Sequence, residues 1–282
     1  MSASRFEPIY KAHAIVEMVL FFEFLPNFSA SIERLLPLRS ELTDDFPSSN
    51  LIEVVEYTIS AQGLEPPQPT TTPLKIGGIE LRRFKPDGSL EWLIRVTPKS
   101  ISIHCLEYTR WRFVWEKVNG YVGKIAEKLA GTEVSIASIG LKYVDQFVFH
   151  GELNDYDASL LLRRESSLLH SRAFTSKAQW HCHTGWFEEA PGLGQILSQM
   201  NIDSAISNVD GVSRNIVMID HTFTRRTQIE GDLMLYILPE KIGEEARSKL
   251  AEWMHDASKK LFNDLLTDSV RNRINLYADE TL

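Results

Sequence analysis

Residues 134–149 read VSIASIGLKYVDQFVF, and the fold of the chain is predicted outward from this stretch. β-branched and aromatic residues dominate it, which is typical of strands packed in a sheet. The stretch therefore predicts one long strand. Asp145 lies inside its apolar run, where a carboxyl group is costly to bury unless it is paired.

The residues before this strand predict several strands followed by a helix. Pro37 must kink or restart one helical pattern, and Pro86-Asp87-Gly88 favours a turn between two strands. The predicted elements are a strand at 14–25, a helix at 28–46, a strand at 50–60, a long loop at 61–78, three antiparallel strands within 79–107 and a helix at about 109–130.

The residues after the strand predict a similar order. The elements are a helix at 157–170, a strand at 177–189, an irregular or partly helical insertion at 190–213, strands at 214–226 and 231–239, and a final helix from about 243 to 267. Apolar residues at helical spacing, among them Leu250, Trp253 and Leu261, form one stripe on this final helix.

Both parts of the chain thus show a strand, a helix, several strands and a long helix. We predict an α+β fold in which antiparallel sheets pack against long helices. Residues 1–132 and 133–282 would form two similar halves of one compact unit, by internal duplication or by coincidence. Superposition of the halves decides between these alternatives.

Composition limits the classes of protein to which the chain can belong. With 30 basic and 38 acidic residues its formal net charge is −8, so a general nucleic-acid binder is not expected. Two cysteines, Cys105 and Cys182, exclude a disulfide framework and fit a reducing compartment. Glu17 and Glu23 interrupt the apolar run near the N-terminus, and no basic segment or cleavage site frames it. We expect a cytoplasmic protein without a signal peptide or membrane span.

Four loose motifs spread over nearly the whole chain carry a resemblance to a known family. They are YKAHAIVEMVLFFEF at 10–24, SIGLKYVDQF at 138–147, IVMIDHTF at 216–223, and WMHDASKKLFNDLLTDSVR at 253–271 with His255, Phe262 and Thr267. The chain resembles a sporadically distributed family of uncharacterised bacterial proteins. It departs from the family pattern at His13-Ala14, where proline is usual, and at Lys142 and Asp145, where arginine and asparagine are usual. The resemblance implies a variably inherited defence or toxin–antitoxin module and no particular reaction.

The segment QWHCHTGW at 179–186 is the candidate metal site. On a strand, His181 and His183 share one face and Cys182 lies on the other with the tryptophans. His104 on another predicted strand would be the third ligand of a zinc ion. The alternative is that these histidines cover a half-exposed face, since no complete ligand motif is present.

Other catalytic patterns are weak. There is no nucleophile-elbow motif, and Cys182 cannot form a dyad with an adjacent histidine that faces the opposite way. Gly192 and Gly194 lack the third glycine and the lysine of phosphate-binding loops, and are more typical of a turn. These absences favour a protein that is not an enzyme.

Charged residues inside apolar strands supply the last candidates. Asp220 would form a structural ion pair with Lys142 or Arg225. The functional alternative is a ligand-binding pocket lined by Tyr143, Asp145, Asp220 and Arg225 at the junction of the two halves. Dispersed arginine and lysine pairs would bind nucleic acid or a nucleotide only if the fold gathered them in one groove.

Three functions follow from these observations. We expect first a non-catalytic protein that binds another protein, as the neutralising or sensing member of a defence or toxin–antitoxin pair. The second is a protein that binds a nucleotide or small molecule in a pocket. The third is a metal-dependent enzyme that uses His104, His181 and His183. The first needs no cofactor, the third needs zinc, and a homo-oligomer is compatible with each.

Overall fold

A computed structural model describes residues 5–25, 32–54, 75–132, 134–209, 211–228 and 231–276. Ten antiparallel strands form a single sheet in this part of the chain. They are β1 (Arg5–Pro8), β2 (Ile15–Phe24), β3 (Ser48–Val54), β4 (Lys75–Phe84), β5 (Leu90–Val96), β6 (Ser100–Cys105), β7 (Ile136–His150), β8 (Trp180–Ala190), β9 (Gly194–Val209) and β10 (Val212–Arg226). The helices are α1 (Leu38–Glu41), α2 (Trp111–Leu129), α3 (Lys241–Leu265) and α4 (Asp268–Arg273), with short 3₁₀ turns elsewhere.

The strand order is β3-β4-β5-β6-β2-β7-β10-β9-β8, with β1 pairing beside β2 on β7. The β2–β7 pair lies at the centre. On each side of it the chain starts at an outer strand and returns inward, through β3 to β6 before α2 and through β8 to β10 before α3. The strand predicted from residues 134–149 is therefore the central element that joins the two sides.

The edge formed by β1 and β2 is interrupted. β1 ends at Pro8 and β2 begins at Ile15, while only Gln146 of β7 lies between their partners. Residues 9–14 consequently leave the sheet as a loop. This loop stands beside Asp145, the partner of Ile15 in the register.

The two longer helices pack against each other through polar as well as apolar contacts. Trp115 Nε1 donates to Ser248 Oγ over 3.2 Å. The guanidinium of Arg247, which is only 2% exposed, donates to Asn119 Oδ1 over 2.8 Å and to the carbonyl oxygens of Tyr236 and Leu238. Because every one of these acceptors is fixed in the fold, the buried charge holds α2, α3 and the preceding 3₁₀ turn together.

The two faces of the sheet differ. We call the face that bears Tyr143 and His221 the helix face, because both side chains contact α3. We call the opposite face, which bears Lys142 and Asp220, the open face. The apolar core lies on the helix face, where rows of wholly buried side chains such as Leu20, Ile103, Phe147, Ile202 and Ile219 pack.

The predicted fold class, an α+β fold in which antiparallel sheets pack against long helices, is wrong. Strands make up 43% and helices 29% of the structure, and a single ten-stranded sheet dominates it. The physical reason is that β2 and β7 pair directly, so the strands before α2 and after it share one hydrogen-bonded ladder. That residues 1–132 and 133–282 are two halves of one compact unit stays a prediction.

Three predicted elements are also wrong. Residues 157–170 form a 3₁₀ turn and irregular chain rather than a helix, because the backbone here bridges to the end of α3. Arg163 N donates to the Leu265 carbonyl oxygen, and the Leu161 carbonyl oxygen accepts from Thr267 N. Residues 190–213 include the long strand β9 instead of an irregular or partly helical insertion. Residues 231–239 form a 3₁₀ turn instead of a strand. The predicted loop at 61–78 lies outside the described residues up to position 74, after which β4 begins.

In the described part of the chain, no helix combines the length and the apolar character that crossing a membrane would need.

Candidate ligand-binding site

A cavity of about 370 Å³ opens on the helix face where the β1–β2 edge is interrupted. The loop of residues 9–14 forms one wall, and the connection between β6 and α2 forms another. Tyr143 and Asp145 of β7 lie at the sheet side, and α3 contributes the wall that faces them. The volume lies in the range of small-molecule sites in proteins.

Asp145 is the most unusual group in this cavity. Its side chain lies between the sheet and the helices, and the residue is only 3% exposed. Within the described chain, no hydrogen bond or ion pair reaches its carboxyl group, and burial alone raises its pKa well above the usual value. The carboxyl oxygens are not among the fully enclosed side-chain atoms without a partner, so they keep some surface open to the cavity. A buried residue whose polar group lacks a protein partner and faces a cavity is a candidate to bind a ligand there.

Tyr143 and His255 form a fixed pair in the cavity wall. Tyr143 Oη lies 2.9 Å from His255 Nδ1, and both side chains are buried. The indole of Trp111 stacks on the His255 ring with 4.3 Å between centroids. Burial raises the pKa of Tyr143 well above its usual value, so its hydroxyl keeps its proton and can act as a hydrogen-bond donor.

His221 of β10 is held by α3. Its Nε2 lies 3.1 Å from Ser258 Oγ, and Phe262 packs edge-on against the ring at 4.9 Å. The Nδ1 atom is buried without a hydrogen-bond partner in the described chain. Burial, with a smaller contribution from nearby His255, lowers the pKa of His221 to about 3, so the ring is neutral at physiological pH.

The basic side chains of the cavity belong to more exposed positions. Arg110, which precedes α2, is exposed, and Lys259 of α3 is half-buried. His13 of the 9–14 loop contacts Tyr108 with 5.8 Å between rings, and burial lowers its pKa. The lining of the cavity thus includes one buried acid and two cations at more exposed positions.

Only two of the four residues predicted to bind a ligand lie in this cavity. Tyr143 and Asp145 line it, whereas Asp220 lies on the open face with its Oδ2 2.5 Å from Lys142 Nζ. The predicted structural ion pair of Asp220 with Lys142 is therefore present. Arg225 instead donates to Tyr236 Oη over 2.8 Å and approaches Asp232 at 3.6 Å.

The three histidines of the predicted metal site are not brought together. His104 on β6 and His183 on β8 are separated by five strand spacings, about 24 Å. His104 contacts Glu17 at 2.8 Å, and His181 contacts Asp203 at 2.7 Å. Among the residues that the structure describes, no group of three histidine, cysteine, aspartate or glutamate side chains is placed to hold a metal ion.

The cysteines follow the predicted alternation. Cys182 lies opposite the wholly buried Ile202, so it points to the helix face, away from the neighbouring histidines. Cys105 is buried on the same face, and burial raises the pKa of its thiol to about 12. A thiol with such a pKa is not a nucleophile at neutral pH.

Sequence reasoning missed the α3 side of the cavity. His255, Ser258 and Phe262 follow each other at helical spacing on the buried stripe of α3. His255 and Ser258, like Arg247 earlier on the helix, are polar residues on a mostly apolar stripe, and such residues are a usable signal for a site. The loop at 9–14 could not be found in this way, because it exists only through the pairing of its two ends with β7.

Comparison with known proteins does not assign the chain to a family. No protein-family model matches the chain, and no curated protein matches it. The resemblance drawn from the four sequence motifs consequently stays a prediction.

Proposed function

We propose that the chain is a binding protein for a small molecule with an apolar body, which it takes up in the cavity beside Asp145. The observation that supports this proposal is the Asp145 carboxyl group, which is buried in the cavity wall without a partner. A ligand in the cavity would supply the hydrogen-bond partner that the protein itself does not give this carboxyl group.

The other walls fit this role. Tyr108, Tyr143 and Phe262 provide apolar ring surface, and His221 is neutral. The contacts that hold these walls come from four separate elements, so the cavity is preformed rather than assembled by one mobile segment. Preformed, mostly apolar cavities with a few fixed polar groups are typical of small-molecule sites.

Blocking the cavity mouth tests the proposal. Ala12 is exposed and lines the cavity, so Ala12→Trp would fill it without disturbing the core. The probes are phenol, indole, benzylamine and benzoate, observed by saturation-transfer NMR. At least one probe should bind the natural chain and lose its signal in Ala12→Trp.

The matched control is Ala205→Trp, at an exposed alanine of β9 that does not line this cavity. This variant should bind the probes as the natural chain does. Binding that persists in Ala12→Trp, or the absence of binding by all four probes, would contradict the proposal.

The association with a partner protein in a defence or toxin–antitoxin module stays a prediction from sequence. It is compatible with a ligand site, because a sensing protein needs both a ligand and a partner. The metal-dependent enzyme is not carried further, since the strand order separates His104 from His183.

A further inference from the structure

The two outer edges of the sheet differ in how they are protected. The β3 edge is seven residues long and has a register shift between Ile52 and Glu53, which interrupts its ladder with β4. The β8 edge is eleven residues long, and its pairing with β9 runs from Trp180 to Ala190 without a shift. Irregular pairing is one of the ways in which proteins prevent an edge strand from pairing with another chain. The β8 edge lacks this protection.

The sequence and exposure of β8 also leave its edge accessible. The strand reads WHCHTGWFEEA and contains no lysine, arginine or proline, which commonly protect edge strands. Residues 180–189 alternate between half-buried and exposed positions, and none of them is buried. In the described chain, the backbone of β8 forms hydrogen bonds only with β9 and with the turn that leads into it. The outer edge of β8 is therefore regular and able to pair with another strand.

We infer that the β8 edge binds the β8 edge of a second copy of this chain, in antiparallel orientation about a two-fold axis at Gly185. Gly185 is the middle residue of the strand, so this register pairs all eleven residues of one strand with those of the other. Directly opposite residues of an antiparallel pair lie on the same face. The two ten-stranded sheets thereby form one continuous sheet.

The charges along β8 favour a second copy over an unrelated strand. His181 lies near the start of the strand, and Glu188 and Glu189 lie near its end. Antiparallel self-pairing in this register places His181 opposite Glu189 of the second copy. The contact of His181 with Asp203 uses Nδ1 over 2.7 Å, which leaves Nε2 to donate to that glutamate. The two-fold axis repeats this contact, and opposite charges on facing positions stabilise a strand pair.

The same register gives a partner to the exposed phenylalanine of this edge. Phe187 is 58% exposed and lies on the same face as His183. Across the two-fold axis, Phe187 of each copy lies opposite His183 of the other. Facing ring side chains contribute to strand pairing, and the phenylalanine ring loses contact with water when it is covered.

Sedimentation velocity on the full chain tests the inference. One strand pair is a small interface, so we expect a dimer with a dissociation constant of about 10 µM. Phe187→Lys puts a lysine on the edge and removes both facing ring contacts, which should weaken the dimer by about 10-fold or more. The matched control is Phe113→Lys, because Phe113 is 57% exposed but lies on α2 rather than on the sheet. This variant should leave the dissociation constant unchanged.

Engineered cysteines test the register. Facing Cα atoms of antiparallel strands lie within the range that a disulfide can bridge. In a Cys182→Ser background, the double variant that combines His183→Cys with Phe187→Cys should form covalent dimers on oxidation with copper phenanthroline. Each single variant should form none, because its two cysteines lie about 14 Å apart along the strands in this register.

A natural chain that stays monomeric at about ten times the expected dissociation constant would show the inference to be wrong. A dimer that Phe187→Lys and Phe113→Lys weaken equally, or that neither weakens, would show that another surface forms the dimer. Covalent dimers of a single cysteine variant, or none of the double variant, would overturn the register at Gly185. The cavity beside Asp145 takes no part in these measurements, so the proposed binding function is tested separately.

Discussion

Asp145 on β7 and Asp220 on β10 lie on paired neighbouring strands, but their carboxyl groups lie in opposite environments. In the register, Asp145 lies opposite Ile219 and Asp220 lies opposite Val144, so they are one step apart. Asp145 points to the helix face, where it is 3% exposed and has no partner in the described chain. Asp220 points to the open face, where its side chain is 31% exposed and pairs with Lys142.

The difference shows that the face of the sheet, rather than the local sequence, decides what a charged residue does. Both aspartates interrupt apolar runs of strands. On the open face, water and a lysine from the adjacent strand satisfy the carboxylate. On the helix face, α3 and the 9–14 loop enclose a cavity beside the carboxyl group in place of a protein partner. The same residue type is structural in one case and a candidate ligand group in the other.

The largest expected effect concerns the pH dependence of stability at Asp145. Its folded pKa is raised above the unfolded value of about 3.9, so the folded chain holds a proton that the unfolded chain releases. This stabilisation is fully present below the unfolded pKa and is lost as pH rises through the folded pKa. The natural chain should lose up to about 1.4 kcal/mol per pH unit in that window relative to Asp145→Asn.

Urea unfolding of both chains from about pH 5 to about pH 8 measures this difference. Since the other ionisable groups are common to both chains, the difference isolates Asp145. Parallel profiles would mean that the Asp145 carboxyl group finds a partner in solution, and the contrast with Asp220 would then disappear.

His221, on the same face, should change the pH dependence of stability in the opposite direction. Burial lowers the pKa of His221 to about 3, against about 6.5 when unfolded, so the unfolded chain takes up the proton first. The stability that the neutral ring contributes is present above pH 6.5 and is lost as pH falls towards about 3. His221→Gln keeps an acceptor for Ser258 but does not titrate. As pH falls through this window, the free energy of unfolding of the natural chain should therefore decrease by up to about 1.4 kcal/mol per pH unit more than that of His221→Gln.

The difference can be measured only at pH values where the chain is still folded, so the measurable effect is smaller than that at Asp145. His181→Gln is the control, since His181 is exposed on the open face. It should change the free energy of unfolding by less than about 0.5 kcal/mol. Equal acid sensitivity of the natural chain and His221→Gln would show that the ring is accessible to protons in the folded state.

Local patterns predicted much of the fold, and long-range pairing accounts for what they missed. The strand predicted at 14–25 is β2, and the Pro86-Asp87-Gly88 turn does join β4 to β5. Strand β9 was missed because Ser198 and Ser204 occupy buried positions where apolar residues are expected. That the strands form one sheet depends on the β2–β7 pair, whose members are far apart in the chain.

The candidate site was likewise predicted in part from local sequence, and the missed part depends on long-range contacts. Asp145 was identified because a carboxyl group within an apolar run is costly to bury. Its cavity could not be identified, because it requires α3, the loop at 9–14 and the segment before α2 to meet at one strand position. Asp220 was grouped with it for the same local reason, and only the alternation of the strand separates them.

The smallest expected effect is the energy of the pair on the open face. A double-mutant cycle with Lys142→Met and Asp220→Asn should give a coupling below about 1 kcal/mol, because both side chains are about one-third exposed. The coupling should fall further at high ionic strength, where solvent-exposed charges are screened. A coupling of several kcal/mol that is insensitive to salt would mean that this pair is desolvated. In that case the absence of a partner, and not the covered face, would be what distinguishes Asp145 from Asp220.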